Sequence, residues 1–161
     1  MVFNLALQYV QNMEEAEEIT QDVFISIYQN LSRFNNTSNL STWIYRITIN
    51  KSIDFIKAKK RQKRFVFLTS LFFENGEAQN TDSSDFNHPG IILEQKEATK
   101  RIFDAINLLN DNQKTVIILS KIEQKSQKEI ADIMELSTSA VESLLGRAKL
   151  KLEALLKNNE G

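Results

Sequence analysis

At 161 residues, with 42% hydrophobic and 25% charged side chains, the chain has room for one ordinary globular domain or two small helical ones. It contains no cysteine, which excludes disulfides and thiolate metal sites and agrees with a reducing compartment. No apolar run reaches the roughly 18–20 residues of a membrane helix, and Met1-Val2-Phe3-Asn4 has no basic n-region, so neither membrane insertion nor a signal peptide is expected.

In chain order, Val2 to Val10 is an apolar helical fragment carrying Phe3, Leu5, Ala6, Leu7, Tyr9 and Val10. Asn12, with Glu15 three residues on and an acidic first turn, marks the N-cap of the next helix. Ile19, Val23, Phe24, Ile27, Tyr28 and Leu31 continue that helix on one apolar stripe. Phe34 to Ser41, rich in Asn, Ser and Thr, reads as a loop. From about Leu40 a further helix runs through Trp43, Ile44, Ile47, Ile49, Ile53 and Ile56 into a basic cluster. Between Lys51 and Arg64 seven basic residues face Asp54 alone, a local charge of +6 that leaves −7 for the rest of a chain with net charge −1. So localised a charge fits either a polyanion contact or a solvated helix end.

Phe65 to Pro89 changes character. An apolar burst of Phe65 to Leu68 and Leu71 to Phe73 is assigned to packing against the first helical unit. Asn75-Gly76, the Thr81 to Asp85 tract and His88-Pro89-Gly90 then read as a polar linker. Helical periodicity returns from Ile91 to Leu109. Asn110 with Gln113 resembles a capping box, and Ser126 with Glu129 is a full one, opening a short helix that ends near Met134. Ser137 is the N-cap of the last helix, with Leu136 and Val141 spaced as a hydrophobic staple. One proline and four glycines leave few helix breakers. The expected architecture is all-α: residues 1–64 as a helical unit, 65–89 as a flexible linker, and 90–161 as a second helical unit.

Catalytic constellations are missing. His88 is the lone histidine, so there is no His pair for a metal and no Ser-His-Asp set. No phosphate-cradling glycine loop occurs. Neither enzymatic activity, a cofactor, a metal nor a small-molecule substrate is expected. Two other constellations stand out. Ser126 to Lys149 reads as a helix-turn-helix whose second helix offers Thr138, Ser139, Glu142, Ser143, Gly146, Arg147 and Lys149 to a major groove, or as a plain helical hairpin. Asn35 to Arg64 joins a polar loop to a basic helix, where Lys and Arg suit phosphates and Phe34 and Trp43 suit an unstacked base. Trp43 equally suits a core, and Asn50 either reads a base edge or caps its neighbours.

Together these stretches resemble the extracytoplasmic-function (group IV) RNA polymerase sigma factors, from about Val2 to Leu156. The resemblance rests on Glu15-Ala16-Glu17-Glu18-Ile19-Thr20-Gln21-Asp22-Val23-Phe24, on Ser41-Thr42-Trp43-Ile44-Tyr45-Arg46-Ile47 with Asn50 and Asp54, and on Ser126 to Lys149. It implies an alternative sigma factor in the cytoplasm. Gln21, Asp22 and Phe24 would dock on the β′ subunit of core polymerase. Phe34, Asn35, Asn36, Thr37, Ser38, Trp43, Asn50, Lys51, Lys57, Lys60 and Arg61 would engage the −10 element, the loop trapping a base flipped from the non-template strand. Ser126, Thr138, Ser139, Glu142, Ser143, Arg147 and Lys149 would read the −35 element, with their unit resting on the β flap. An anti-sigma factor is the further expected partner.

Three departures accompany the resemblance. The family's first helix starts upstream of Phe3, so a truncated start is expected here. Glu135 stands at the family's turn glycine, and Glu142 and Leu144 stand where its recognition helix carries basic residues. Two competing readings remain: a stand-alone helix-turn-helix regulator acting without polymerase, and a truncated decoy held by an inhibitor.

Overall fold

The helical character of the described residues follows from the chain's caps and its scarcity of breakers. A computed structural model describes residues 1–34, 38–72 and 93–158. Among these, the α-helices are α1 (Val2–Val10), α2 (Met13–Asn30), α3 (Leu40–Phe72), α4 (Leu93–Asn107), α5 (Asp111–Ile117), α6 (Gln127–Met134) and α7 (Thr138–Asn158), with no strand. Residues 35–37 and 73–92, the latter including most of the expected 65–89 linker with Asn75-Gly76, Thr81 to Asp85 and His88-Pro89-Gly90, lie outside the described residues.

Each expected cap is in place. The Asn12 side chain accepts from the Glu15 N–H at 2.9 Å, and Asn110 accepts from Gln113 at 2.9 Å. Ser126 and Glu129 form the reciprocal box, and Ser137 Oγ accepts from the Ala140 N–H at 3.1 Å. These bonds satisfy donors that a helix start leaves without an internal partner. A wider turn at Ile118–Ile122 follows α5 and leads to the α6 cap.

Two apolar clusters hold the helices. Val2, Ala6, Ala16, Ile19 and Val23 form the smaller, with Ile44, Ile47 and Phe55 against it. The larger joins Leu5, Tyr9, Tyr45 and Ile49 to Ile106, Val116 to Leu119, Ile130, Val141, Leu145 and Ala148. Helix α1 is shared between them: Val2 and Ala6 face α2 and α3, while Leu5 and Tyr9 face the C-terminal helices. Two buried sides explain why this short helix is apolar nearly all round. Thr48 and Ser52 are fully buried on α3, yet each donates to a carbonyl one turn back, at 2.9 and 2.8 Å. Their hydroxyls therefore cost little.

The apolar stripe on α2 divides along its length: Ile19 and Val23 are buried, but Phe24, Tyr28 and Leu31 are 58%, 85% and 52% exposed. The apolar burst after Arg64, of which the side chains from Leu68 on and all of Phe73 lie outside the described residues, is not part of the first unit's core at Phe65, Val66 or Phe67. It prolongs α3 to Phe72, with Phe65, Val66 and Phe67 exposed, because nothing between Leu40 and Phe72 breaks the helix.

The N- and C-terminal helices meet through a polar seam built around Lys114. This residue is only 7% exposed, and its ammonium donates to the Tyr9 carbonyl at 2.8 Å and to Asn107 Oδ1 at 2.5 Å. Burial, assisted by nearby Lys60, lowers its pKa to about 8. The unfolded chain therefore binds more protons between pH 8 and about 10, and stability should rise with pH there. Below pH 8 the cost of burying the charge is fully present, on the order of 3 kcal/mol. Lys114→Met is expected to flatten this rise in pH-dependent urea unfolding relative to the parent chain, whereas identical pH slopes would contradict it.

Candidate nucleic-acid and partner-binding surfaces

The outer face of α2 carries a run of exposed apolar side chains. Phe24, Ile25, Tyr28 and Leu31 are all more than half exposed, with Gln21 and Asp22 beside them. Exposed apolar side chains grouped at i, i+4 and i+7 spacing are the pattern of an unfilled protein contact. Gln21 and Phe24 thus share a surface, while Asp22 turns toward a groove with Lys51, Asp54, Lys57, Lys60, Arg61 and Arg64. Ile25, Tyr28 and Leu31 extend the face beyond the residues assigned to it from sequence.

That groove is the basic surface expected on α3. Lys57, Lys60, Arg61 and Arg64 are exposed and Lys51 is half-buried, so the cations project from consecutive turns of one helix. Such a row suits a phosphate chain. Part of the row is already paired: Lys57 Nζ lies 2.9 Å from Asp111, and Lys59 Nζ beside it lies 2.5 Å from Glu15. At the other end of α3, Phe34 and Trp43 contact one another with ring centroids 5.1 Å apart and planes inclined by 36°. Trp43 is half-buried, so it is neither a plain core residue nor a free platform. Ser38 is half-buried nearby, and Asn35, Asn36 and Thr37 fall outside the described residues.

Asn50 is exposed, and one side of it lines a crevice shared with Arg46, Asn112, Met134 and Glu135. The caps described for α2, α5, α6 and α7 are made by Asn12, Asn110, Ser126 and Ser137 and not by Asn50.

In the C-terminal helices, α6 and α7 form the helix-turn-helix. Glu135 ends α6 in the left-handed region at φ 56°, and its N–H bonds back to the Ala131 carbonyl. The turn normally made by glycine is thus made by glutamate, at some steric cost. Thr138, Ser139, Glu142, Ser143, Arg147 and Lys149 are all exposed on α7, while Val141, Leu145 and Ala148 on its other side are buried. A Cβ added at Gly146 would meet no atom within 4 Å, so this glycine leaves open space on the outer face.

Ser126 is engaged differently from the rest. Its N–H and hydroxyl both donate to Glu129 Oε2, at 2.9 and 2.8 Å, and these bonds with Lys125 lower the Glu129 pKa to about 2. The cap therefore holds above the ordinary carboxylate range and weakens as pH falls toward 2. Ser126→Ala should cost about 1 kcal/mol in urea unfolding and Ser126→Asp much less. Equal stability of all three would remove the capping role.

Sequence reasoning missed the residues that join the two units: Tyr45, Arg46, Asp111, Glu123 and Glu135. The spacing of Arg46, Asn50 and Lys57 at i, i+4 and i+11 was the available signal that they share a face.

Comparison with known proteins places these surfaces in a family context. Residues 1–62 match the model of sigma-70 region 2, and residues 99–152 match that of sigma-70 region 4. The chain is 31% identical to the RNA polymerase sigma factor CnrH of Cupriavidus metallidurans, over 88% of this chain and 73% of that one. It is 28% identical to the ECF RNA polymerase sigma factor SigW of Bacillus subtilis, over 98% of this chain and 83% of that one. Its fold resembles that of the sigma factor RpoE from Bartonella quintana, solved with the anti-sigma factor NepR, at a TM-score of 0.64 and 20% identity, covering 97% and 89% of the two chains.

Proposed function

Since the chain belongs to the extracytoplasmic-function family of RNA polymerase sigma factors, we propose a division of labour for this alternative sigma factor, which directs RNA polymerase to promoters, between its two helical units. The observation that carries it is the succession of a region 2 match and a region 4 match in one chain, with the basic groove of α3 inside the first. A stand-alone helix-turn-helix regulator has no use for residues 1–62, so that reading is not favoured.

On this proposal residues 1–64 bind core polymerase through Gln21, Asp22 and Phe24 and the −10 element through the loop after Phe34, Asn50 and the α3 cations. Residues 65–89 tether the units. Residues 90–161 read the −35 element through α7 and rest on the β subunit. Lys and Arg neutralise backbone phosphates, while Asn50 and the Phe34–Trp43 pair meet an extruded base. Glu142 accepts from a cytosine amine in the major groove. The protein acts without chemistry of its own, in the cytoplasm with polymerase, under an anti-sigma partner of the kind bound to RpoE in its solved structure. Among the described residues no helix is long and apolar enough to cross a membrane.

A selection on a randomised promoter pool with reconstituted holoenzyme tests this directly. A two-part motif should emerge, and Asn50→Ala should relax its −10 part by about 1–3 kcal/mol of discrimination while core binding is retained. Equal loss of core binding would make Asn50 structural.

A further inference from the structure

Among the described residues Lys114 is the one charged side chain that is buried, and neither the DNA nor the polymerase contacts use it. The seam around it is held by the apolar cluster of Leu5, Tyr9, Ile49, Ile106, Val116 and Leu145, which needs no cation. An ammonium taken out of water is stabilised best by an anion at hydrogen-bond distance. Lys114 has none among the described residues: its two acceptors, the Tyr9 carbonyl at 2.8 Å and Asn107 Oδ1 at 2.5 Å, are both neutral. The Tyr9 ring, 5.2 Å away, is neutral as well. An ammonium carries three donors, so one is left over. Lys60 stands close enough to depress the Lys114 pKa further, so two like charges share this place.

Both lysines line a cavity of about 260 Å³ walled by α1 to α5. Its two carboxylates are already matched: Glu15 lies 2.5 Å from Lys59 Nζ, and Asp111 lies 2.9 Å from Lys57 Nζ. Lys60 and Lys114 therefore set the sign of what the cavity attracts. Val10, Ile53, Ile56 and Leu109 add apolar surface to the same wall. The volume falls just short of the roughly 300 Å³ at which pockets for drug-sized ligands begin, so the fitting ligand is small. Two ammonium groups at one place favour a dianion over a monoanion, and a phosphate monoester carries about −1.5 to −2 near pH 7.

We propose that this cavity binds a small organic phosphate, with the phosphate bridging Lys60 and Lys114 and the organic body against Val10, Ile53, Ile56 and Leu109. The phosphate takes the remaining Lys114 donor and separates the two like charges. Binding to the folded chain alone stabilises it by mass action. The site needs no DNA base and no polymerase contact, so it stands or falls apart from the promoter-directing role.

Calorimetric titration of the full chain, without polymerase or DNA, tests this with adenosine monophosphate, glucose 6-phosphate and inorganic phosphate at constant ionic strength set by chloride. At least one of the two organic phosphates should bind saturably, about tenfold or more tighter than inorganic phosphate, and should raise the thermal midpoint. Lys114→Met, which removes a buried charge and keeps the apolar stem, should fold and lose about tenfold or more of that affinity, the scale of a charge-assisted hydrogen bond. Lys60→Gln, at an exposed position where the core is untouched, should lose about threefold or more. Lys128→Met, exposed on α6 and away from the cavity, should bind as the parent does. No saturable binding of either organic phosphate by the parent chain overturns the site, as does binding that Lys114→Met and Lys60→Gln leave intact. An equal loss in Lys128→Met reduces the effect to general charge and overturns it too. Organic phosphates that bind no tighter than inorganic phosphate overturn the role of the apolar wall.

Discussion

Replacing Phe24 and Tyr28 together with alanine is expected to weaken binding to core polymerase by at least a hundredfold while leaving the fold intact. The two rings are 58% and 85% exposed, one turn apart on α2, so they hold nothing in the interior. Their loss should therefore change unfolding free energy by no more than about 0.5 kcal/mol. At a protein interface, by contrast, buried aromatic anchors each contribute on the order of 2 kcal/mol, and two of them approach 4 kcal/mol when their effects add. Anisotropy of the labelled chain titrated with core polymerase measures the first quantity and a urea transition the second. Wild-type binding by the double variant would show that polymerase uses another face. A collapse in stability would show that the rings serve the fold.

Reversing Lys57, Lys60 and Arg61 to glutamate is expected to reduce promoter binding by the holoenzyme on the order of a hundredfold at moderate salt. Each cation that meets a phosphate releases a counterion, so the slope of log affinity against log salt should shrink by about 0.7–0.9 for every phosphate left without its cation. The three together should lower it by about 2. The three cations differ in how freely they reach DNA: Lys60 and Arg61 project from the groove with Arg64, whereas Lys57 must first leave Asp111. Asp111→Asn should accordingly make Lys57 more available and increase the loss seen on its reversal. An unchanged salt slope in the triple variant would remove the α3 groove from the DNA-binding surface.

The helices and their caps were legible because both are local. Asn12, Asn110, Ser126 and Ser137 cap where their spacing to Glu15, Gln113, Glu129 and Ala140 says they should, since the bonds span three residues. The helix-turn-helix was legible for the same reason, and its outward residues on α7 follow from helical period alone. Periodicity fails where an apolar face serves a partner. On α2 the continuous stripe from Ile19 to Leu31 hides a division between a buried half and an exposed half, because a core and a protein interface ask for the same residue types. It fails again after Arg64, where Phe65 to Phe67 look like packing residues yet ride outward on the extension of α3.

The polar seam was illegible for a different reason. Tyr9 with Thr115, Gln11 with Asn107, and Arg46 with Glu135 are separated by 85 residues or more along the chain, and nothing local pairs them. Lys114 shows the limit most clearly. A lysine in a seven-residue helix reads as solvated, and only the meeting of α1 and α5 buries it beneath Tyr9. For the loop proposed to receive an extruded base, the described residues offer Phe34 and Trp43, which touch one another.

Run-off transcription with core polymerase, in the presence and absence of this chain, on a promoter drawn from the selected pool tests the account at its centre. The chain should convert core enzyme, inert on that template, into one that yields a discrete transcript, and Phe24→Ala with Tyr28→Ala should abolish the product. Equal transcript with and without the chain, or none with it at any concentration that saturates core binding, would contradict the account.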